Sequence, residues 1–176
     1  MHILRSVIVF TAAGVLLAQG TPAAKPDPMS ADIKAFFDSV KGFITRSAEK
    51  MPEEHYSFKP TPDVRSFGQM VGHIADAQYL FCSALKGEKQ APTAEKTKTT
   101  KAELTAALAA AFAYCDPTYS GLTDAKGAEP VKLFGSDRTK LGVLAFNNGH
   151  NYEHYGNLVT YMRLKSIVPP SSEPRR

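Results

Sequence analysis

The 176-residue sequence contains no apolar run of the roughly 20 residues a bilayer-spanning helix requires, so nothing in it reads as a permanent membrane span. Nor does any stretch alternate with a period of two for long enough to suggest a sheet, which leaves helices as the building material. Charge of one sign is lacking too: without Arg5 the balance is 20 basic against 17 acidic residues. The lysines of 86–101 interleave with Gln, Thr, Pro and Glu and have neither an aromatic nor an arginine among them. That pattern describes a solvated loop and excludes a nucleic-acid groove, which needs stacking or forked partners. Only Cys82 and Cys115 are present, and no cysteine follows the N-terminal apolar run, which argues against a lipid anchor there. No phosphate- or nucleotide-binding motif occurs.

What is present begins with an export signature. Met1 to Arg5 is basic, Val7 to Ala18 is apolar or small, and Ala18-Gln19-Gly20 supplies small residues for a signal peptidase. Residues 1–20 therefore read as a cleaved signal peptide, the alternative being an uncleaved N-terminal anchor. Periplasmic or extracellular localisation follows, with no stable membrane span after cleavage. Residues 21–29 are Pro- and Ala-rich and read as a flexible linker, and 169–176 reads as a disordered tail. One domain over 30–168 is long enough for a proper core and too short for two.

Four amphipathic stretches fill that domain. The first, from about Ser30 to Lys50, carries Ile33, Phe36, Phe37, Val40, Phe43 and Ile44 at helical spacing, with Ser30 as its cap and Pro52 beyond its end. Ser66-Phe67-Gly68-Gln69 has capping-box spacing and opens a second helix to about Leu85. Thr100-Lys101-Ala102-Glu103 is a second such box, opening an Ala-rich helix that Pro117 is expected to end. Residues 118–138 read as a long loop, and the last helix runs from about Thr139 to Ile167. Four long helices in one domain predict an all-α four-helix bundle.

The middle linker sets the direction of the chain. Its roughly 14 residues can reach about 45 Å when extended, more than the ~30 Å length of a twenty-residue helix. Helices two and three can therefore run parallel, whereas antiparallel neighbours would need a far shorter connection. In a parallel pair Cys82 and Cys115 stand at matching heights, which makes them a disulfide candidate in an exported protein. Two separate buried thiols are the alternative.

Three of the five histidines carry the functional argument. His150 and His154 are four apart and project from one face of the last helix, and His73 lies in the second helix. If helices two and four run antiparallel, the three imidazoles fall at one level. Three imidazoles suit one divalent cation, zinc or nickel before iron or manganese, and leave positions open for water or substrate. Three packed core histidines are the competing explanation. Glu153 lies close enough to act as a general base, although a solvent-facing position on the helix is the more common role for such a residue. Asn147, Asn157 and Asp76 are placed to orient the imidazoles. His150-Asn151-Tyr152-Glu153-His154 also fits the H-x-x-E-H pattern of inverted zinc peptidases, but the only acid downstream is Glu173 in the tail.

Together, Arg65-Ser66-Phe67-Gly68-Gln69, Gly72-His73-Ile74 and His150-x-x-x-His154-x-Gly156 resemble the DinB-like family, over roughly 30–165. The resemblance implies a down-up-up-down four-helix bundle whose metal ligands would be His73, His150 and His154. It also implies kinship with thiol-dependent transferases and isomerases, among relatives of no known activity. Two departures matter: Asn157 stands where many relatives have Gln, and an exported protein would not meet the reduced thiol pool of the cytosol. The expectation is an exported metal-dependent hydrolase or transferase acting on a small molecule of unknown identity. A non-catalytic exported metal- or ligand-binding stress protein is the alternative, and pairing into a homodimer is compatible with either.

Overall fold

The computed structural model describes residues 27–174, so the expected signal peptide and residues 21–26 of the expected linker lie outside the described residues, while 27–29 form the cap and start of the first helix. Helix α1 spans Pro28–Lys50. It starts two residues earlier than expected because Pro28 brings the fixed φ of a first helical position. Ser30 is therefore not the cap: it is buried in the first turn, where its backbone N–H and hydroxyl donate to Asp124 at 2.8 and 2.9 Å.

Helix α2 (Phe67–Lys86), a single turn α3 (Ala94–Thr97) and helix α4 (Lys101–Ser120) follow. The capping boxes of α2 and α4 are both formed: Gln69 N–H donates to Ser66 Oγ at 3.1 Å and Glu103 N–H to Thr100 Oγ1 at 3.3 Å, each with its reciprocal bond. Pro117 does not end α4, which continues to Ser120. A proline removes one N–H donor, and the residues beyond it are held by Tyr119, whose ring stacks on Phe37 at 3.8 Å in the core.

Residues 118–138, expected as loop, contain the end of α4, a turn α5 (Asp124–Gly127) and most of a hairpin. Its strands β1 (Pro130–Leu133) and β2 (Ser136–Thr139) pair antiparallel, Leu133 opposite Ser136. Phe134 and Gly135 at the tip have φ of 50° and 76°, the conformation that two-residue hairpin turns favour. The strands are only four residues long and β2 is wholly exposed, so no apolar alternation marks them. Helix α6 (Lys140–Leu164) closes the bundle, capped by Thr139 Oγ1 accepting from Gly142 N–H at 3.0 Å.

Directions follow from which residues meet. A Cβ at Gly68 would touch Leu104 at 3.1 Å, and three to four turns on, Cys82 is disulfide-bonded to Cys115 with Cα atoms 5.5 Å apart. Helices α2 and α4 are therefore parallel. His73 meets His150 while Phe81 meets Phe146, so α2 and α6 are antiparallel. Phe37 meets Tyr119 while Lys101 reaches Glu49, so α1 and α4 are antiparallel as well. Helix α1 runs parallel to α6, with Asn148 on Ile33 and Tyr155 on Phe43. Phe37, Val40, Ile44, Ile74, Leu104, Phe112, Leu144 and Leu158 fill the centre. Among the described residues no helix is long and apolar enough to cross a membrane.

Candidate metal centre

The antiparallel crossing of α2 and α6 brings His73, His150 and His154 to one level. His73 Nε2 lies 3.2 Å from His150 Nε2, and His154 Nε2 lies 3.0 Å from the same atom. All three residues offer a nitrogen within a span of 4.8 Å, close enough to hold a metal ion. Tetrahedral nitrogen ligands at roughly 2.0–2.1 Å from an ion would sit about 3.3 Å from one another, so the observed spacing fits such a donor set.

Electrostatics fits it too. Burial, then the neighbouring imidazoles, lower the pKa of His150 to about 4. Burial, then His73 and Arg65, do the same for His154. Both rings are therefore neutral near pH 7 and keep a lone pair for a cation. Phe81 sets its ring against His150 with centroids 5.6 Å apart, and Phe134 and Phe146 back it, which makes that wall apolar. On the other side a polar cleft of about 550 Å³ opens at His154, walled by Lys59, Arg65, Glu95, Glu153, Asn157 and Tyr161.

The expected supporting residues occupy several different places. Asn157 is at the site, its amide 3.3 Å from His154 Nδ1; an amide can turn either its oxygen or its nitrogen to that atom. Glu153 lies exposed on the cleft wall beside His154. Asp76 does not touch the histidines; it accepts from the N–H groups of Ala94 and Glu95 at 2.8 and 3.0 Å. Asn147 also points elsewhere, because one turn before His150 the bundle interior offers it Gln78 and Tyr119, to which its amide donates at 3.0 and 3.1 Å.

One partner of the histidines and a neighbouring polar layer carry no clear signal in the sequence. Glu95, on the one-turn α3, places Oε2 3.0 Å from His73 Nδ1 and Oε1 2.7 Å from Arg65 Nε. Burial works against its charge, but hydrogen bonds from Arg65 and His73 hold its pKa below the ordinary carboxylate value. Beneath the histidines lies a polar layer: Gln78 donates to Asn151 Oδ1 at 2.7 Å, and Tyr119 donates to Asn148 Oδ1 at 3.1 Å. The only hint in the sequence was the recurrence of Asn148, Asn151 and His154 every three residues along α6.

Known proteins give this arrangement a context. The Bacillus subtilis protein YjoA is 29% identical to this chain over 140 residues, covering 76% of the chain and 89% of YjoA. The crystal structure of a DinB-like protein from Bacillus cereus superposes with a TM-score of 0.67 at 17% identity, covering 78% of this chain and 95% of that one. The crystal structure of YjoA gives 0.64 at 24% identity, covering 82% and 99%. At these identities the structures speak for the fold. The profile of the DinB superfamily matches residues 44–158, from the last two turns of α1 to beyond His154, and the chain belongs to that superfamily.

Proposed function

We propose that the protein is an exported metal-dependent enzyme, a hydrolase or transferase acting on a small polar molecule, with His73, His150 and His154 as its ligands. The observation that carries this reading is the polar cleft that opens at His154, one member of the three-imidazole cluster. A sealed apolar pocket would suit a purely structural ion instead. The chemistry a zinc or nickel ion supplies there is Lewis acidity. Lys59 and Arg65 on the cleft wall bind and orient negative groups of a substrate. Glu153, on the same wall, can take the proton of an incoming nucleophile and return it to a leaving group. The buried ring of Phe81 shields the side of His150 that it meets.

Export is supported by residues 1–20, and the Cys82–Cys115 bridge agrees with an oxidising compartment. The test is elemental analysis of mature protein purified without chelator or affinity tag, beside His150→Ala/His154→Ala. About one equivalent of zinc or nickel, lost in the variant, is the expected result. A wild type that stays empty after dialysis against each metal overturns the reading. A metal-loaded protein inert toward hydrolytic and transfer substrates favours an exported binding protein.

A further inference from the structure

The crossover between α2 and α4 is longer than a simple connection, and its middle is pressed onto α2 rather than left in solvent. A Cβ at Gly72 would lie 2.7 Å from the Glu95 Cα, 2.8 Å from the Glu95 nitrogen and 3.1 Å from the Ala94 carbonyl carbon. Any side chain larger than hydrogen at Gly72 would push α3 away. One turn further along α2, the Asp76 carboxylate accepts from both backbone N–H groups of that same pair, and Ala94 is buried against the core. These contacts hold the backbone at Glu95, so the direction of its side chain follows from where the linker is fixed.

That side chain meets His73 Nδ1 at 3.0 Å, and Arg65 Nε bonds its second oxygen at 2.7 Å. An ionised carboxylate only accepts, so the His73 ring must place its proton on Nδ1. The lone pair is then on Nε2, the atom that faces His150 Nε2 at 3.2 Å. A carboxylate behind a ligating imidazole fixes the tautomer and raises the basicity of the ligand.

We infer that Glu95 is the positioning residue of the metal centre: it holds His73 as the Nδ1-protonated tautomer and sets the affinity for a divalent cation, with Gly72 and Asp76 fixing the linker that carries it. The inference rests on the metal-site reading above. The crossover linker is thus a working part of the centre, and displacing it weakens metal binding without touching a ligand.

The test compares wild type, Glu95→Ala, Glu95→Gln and Gly72→Ala in zinc affinity, by competition with a chromophoric chelator. The ¹⁵N shifts of the His73 imidazole are read in metal-free protein. Glu95→Ala should bind zinc 10–100-fold more weakly, the usual effect of losing such a partner, and His73 should become a mixture of tautomers. Glu95→Gln, which keeps an acceptor, should recover part of both. Gly72→Ala, with the carboxylate intact, should move both readouts in the direction of Glu95→Ala. Circular dichroism confirms that each variant is folded. A wild type that binds zinc while Glu95→Ala binds it equally well overturns the inference, as does an unchanged His73 tautomer. A wild type that takes up neither zinc nor nickel sinks the metal reading and the affinity statement with it, while the tautomer measurement still decides whether Glu95 orients His73.

Discussion

The bond between Cys82 and Cys115 closes a loop with a sequence separation of 33. Restricting the unfolded chain by a loop of that length is worth about 3–4 kcal/mol in the loop-entropy treatment. Both sulfurs are fully buried, between the parallel helices α2 and α4. Reduction in place leaves two small apolar thiols of a kind that cores accommodate, so most of the difference should come from the unfolded state. Oxidised protein, and protein unfolded in reductant and refolded as the dithiol, would be compared by urea unfolding at one pH. Reduction should lower stability by about 3–4 kcal/mol and the melting temperature by about 7–14 °C for a domain of this size. Cys82 is nine residues beyond His73, about 14 Å along the helix axis, so zinc affinity should not change. A loss below about 1 kcal/mol would mean that the unfolded chain already keeps α2 and α4 together and would refute the entropic argument. A loss of zinc affinity on reduction would refute the separation of bridge and centre.

Two further outcomes follow from the site and its support. In metal-free protein His150 and His154 protonate only near pH 4, whereas in the unfolded chain they protonate near 6.5. Between those values the unfolded state binds more protons, so stability rises with pH across about 4 to 6.5 and then levels off. Carboxylates such as Glu95 add a slope of the same sign, so the histidine share is isolated by His150→Gln/His154→Gln, which should show a shallower rise between pH 5 and 7; equal slopes would contradict it. Tyr119→Phe removes the acceptor of the Asn147 amide and a donor to Asn148, both buried. It should cost about 1–3 kcal/mol in urea unfolding, and a loss under about 0.5 kcal/mol would show that the layer repairs itself.

How much of this was legible depends on how far apart in the chain the interacting residues lie. The long helices were legible because their signals are local: Ser66 with Gln69 and Thr100 with Glu103 sit within one turn, and the apolar spacing of α1 repeats from Ile33 to Ile44, about three turns. The histidine pair was legible for the same reason, being one turn apart on α6. His73 joined it through an argument about linker length, which constrained direction without placing any atom. The hairpin at 130–139 was missed because β2 buries nothing, so no hydrophobic pattern records it. Glu95 was missed because its role exists only in relation to residues 19 to 30 positions earlier: Gly72, which admits the backbone, Asp76, which holds it, and Arg65, which pairs with it. Taken alone, Glu95 is one acid in a lysine-rich loop. Asn147 shows the converse error, since a position on the histidine face of α6 was taken as a contact with the histidines, while the bundle interior one turn away presented Gln78 and Tyr119. Spacing along one helix therefore marked two of the three clustered histidines, and it took the packing of the second helix and its linker to show what stands beside them.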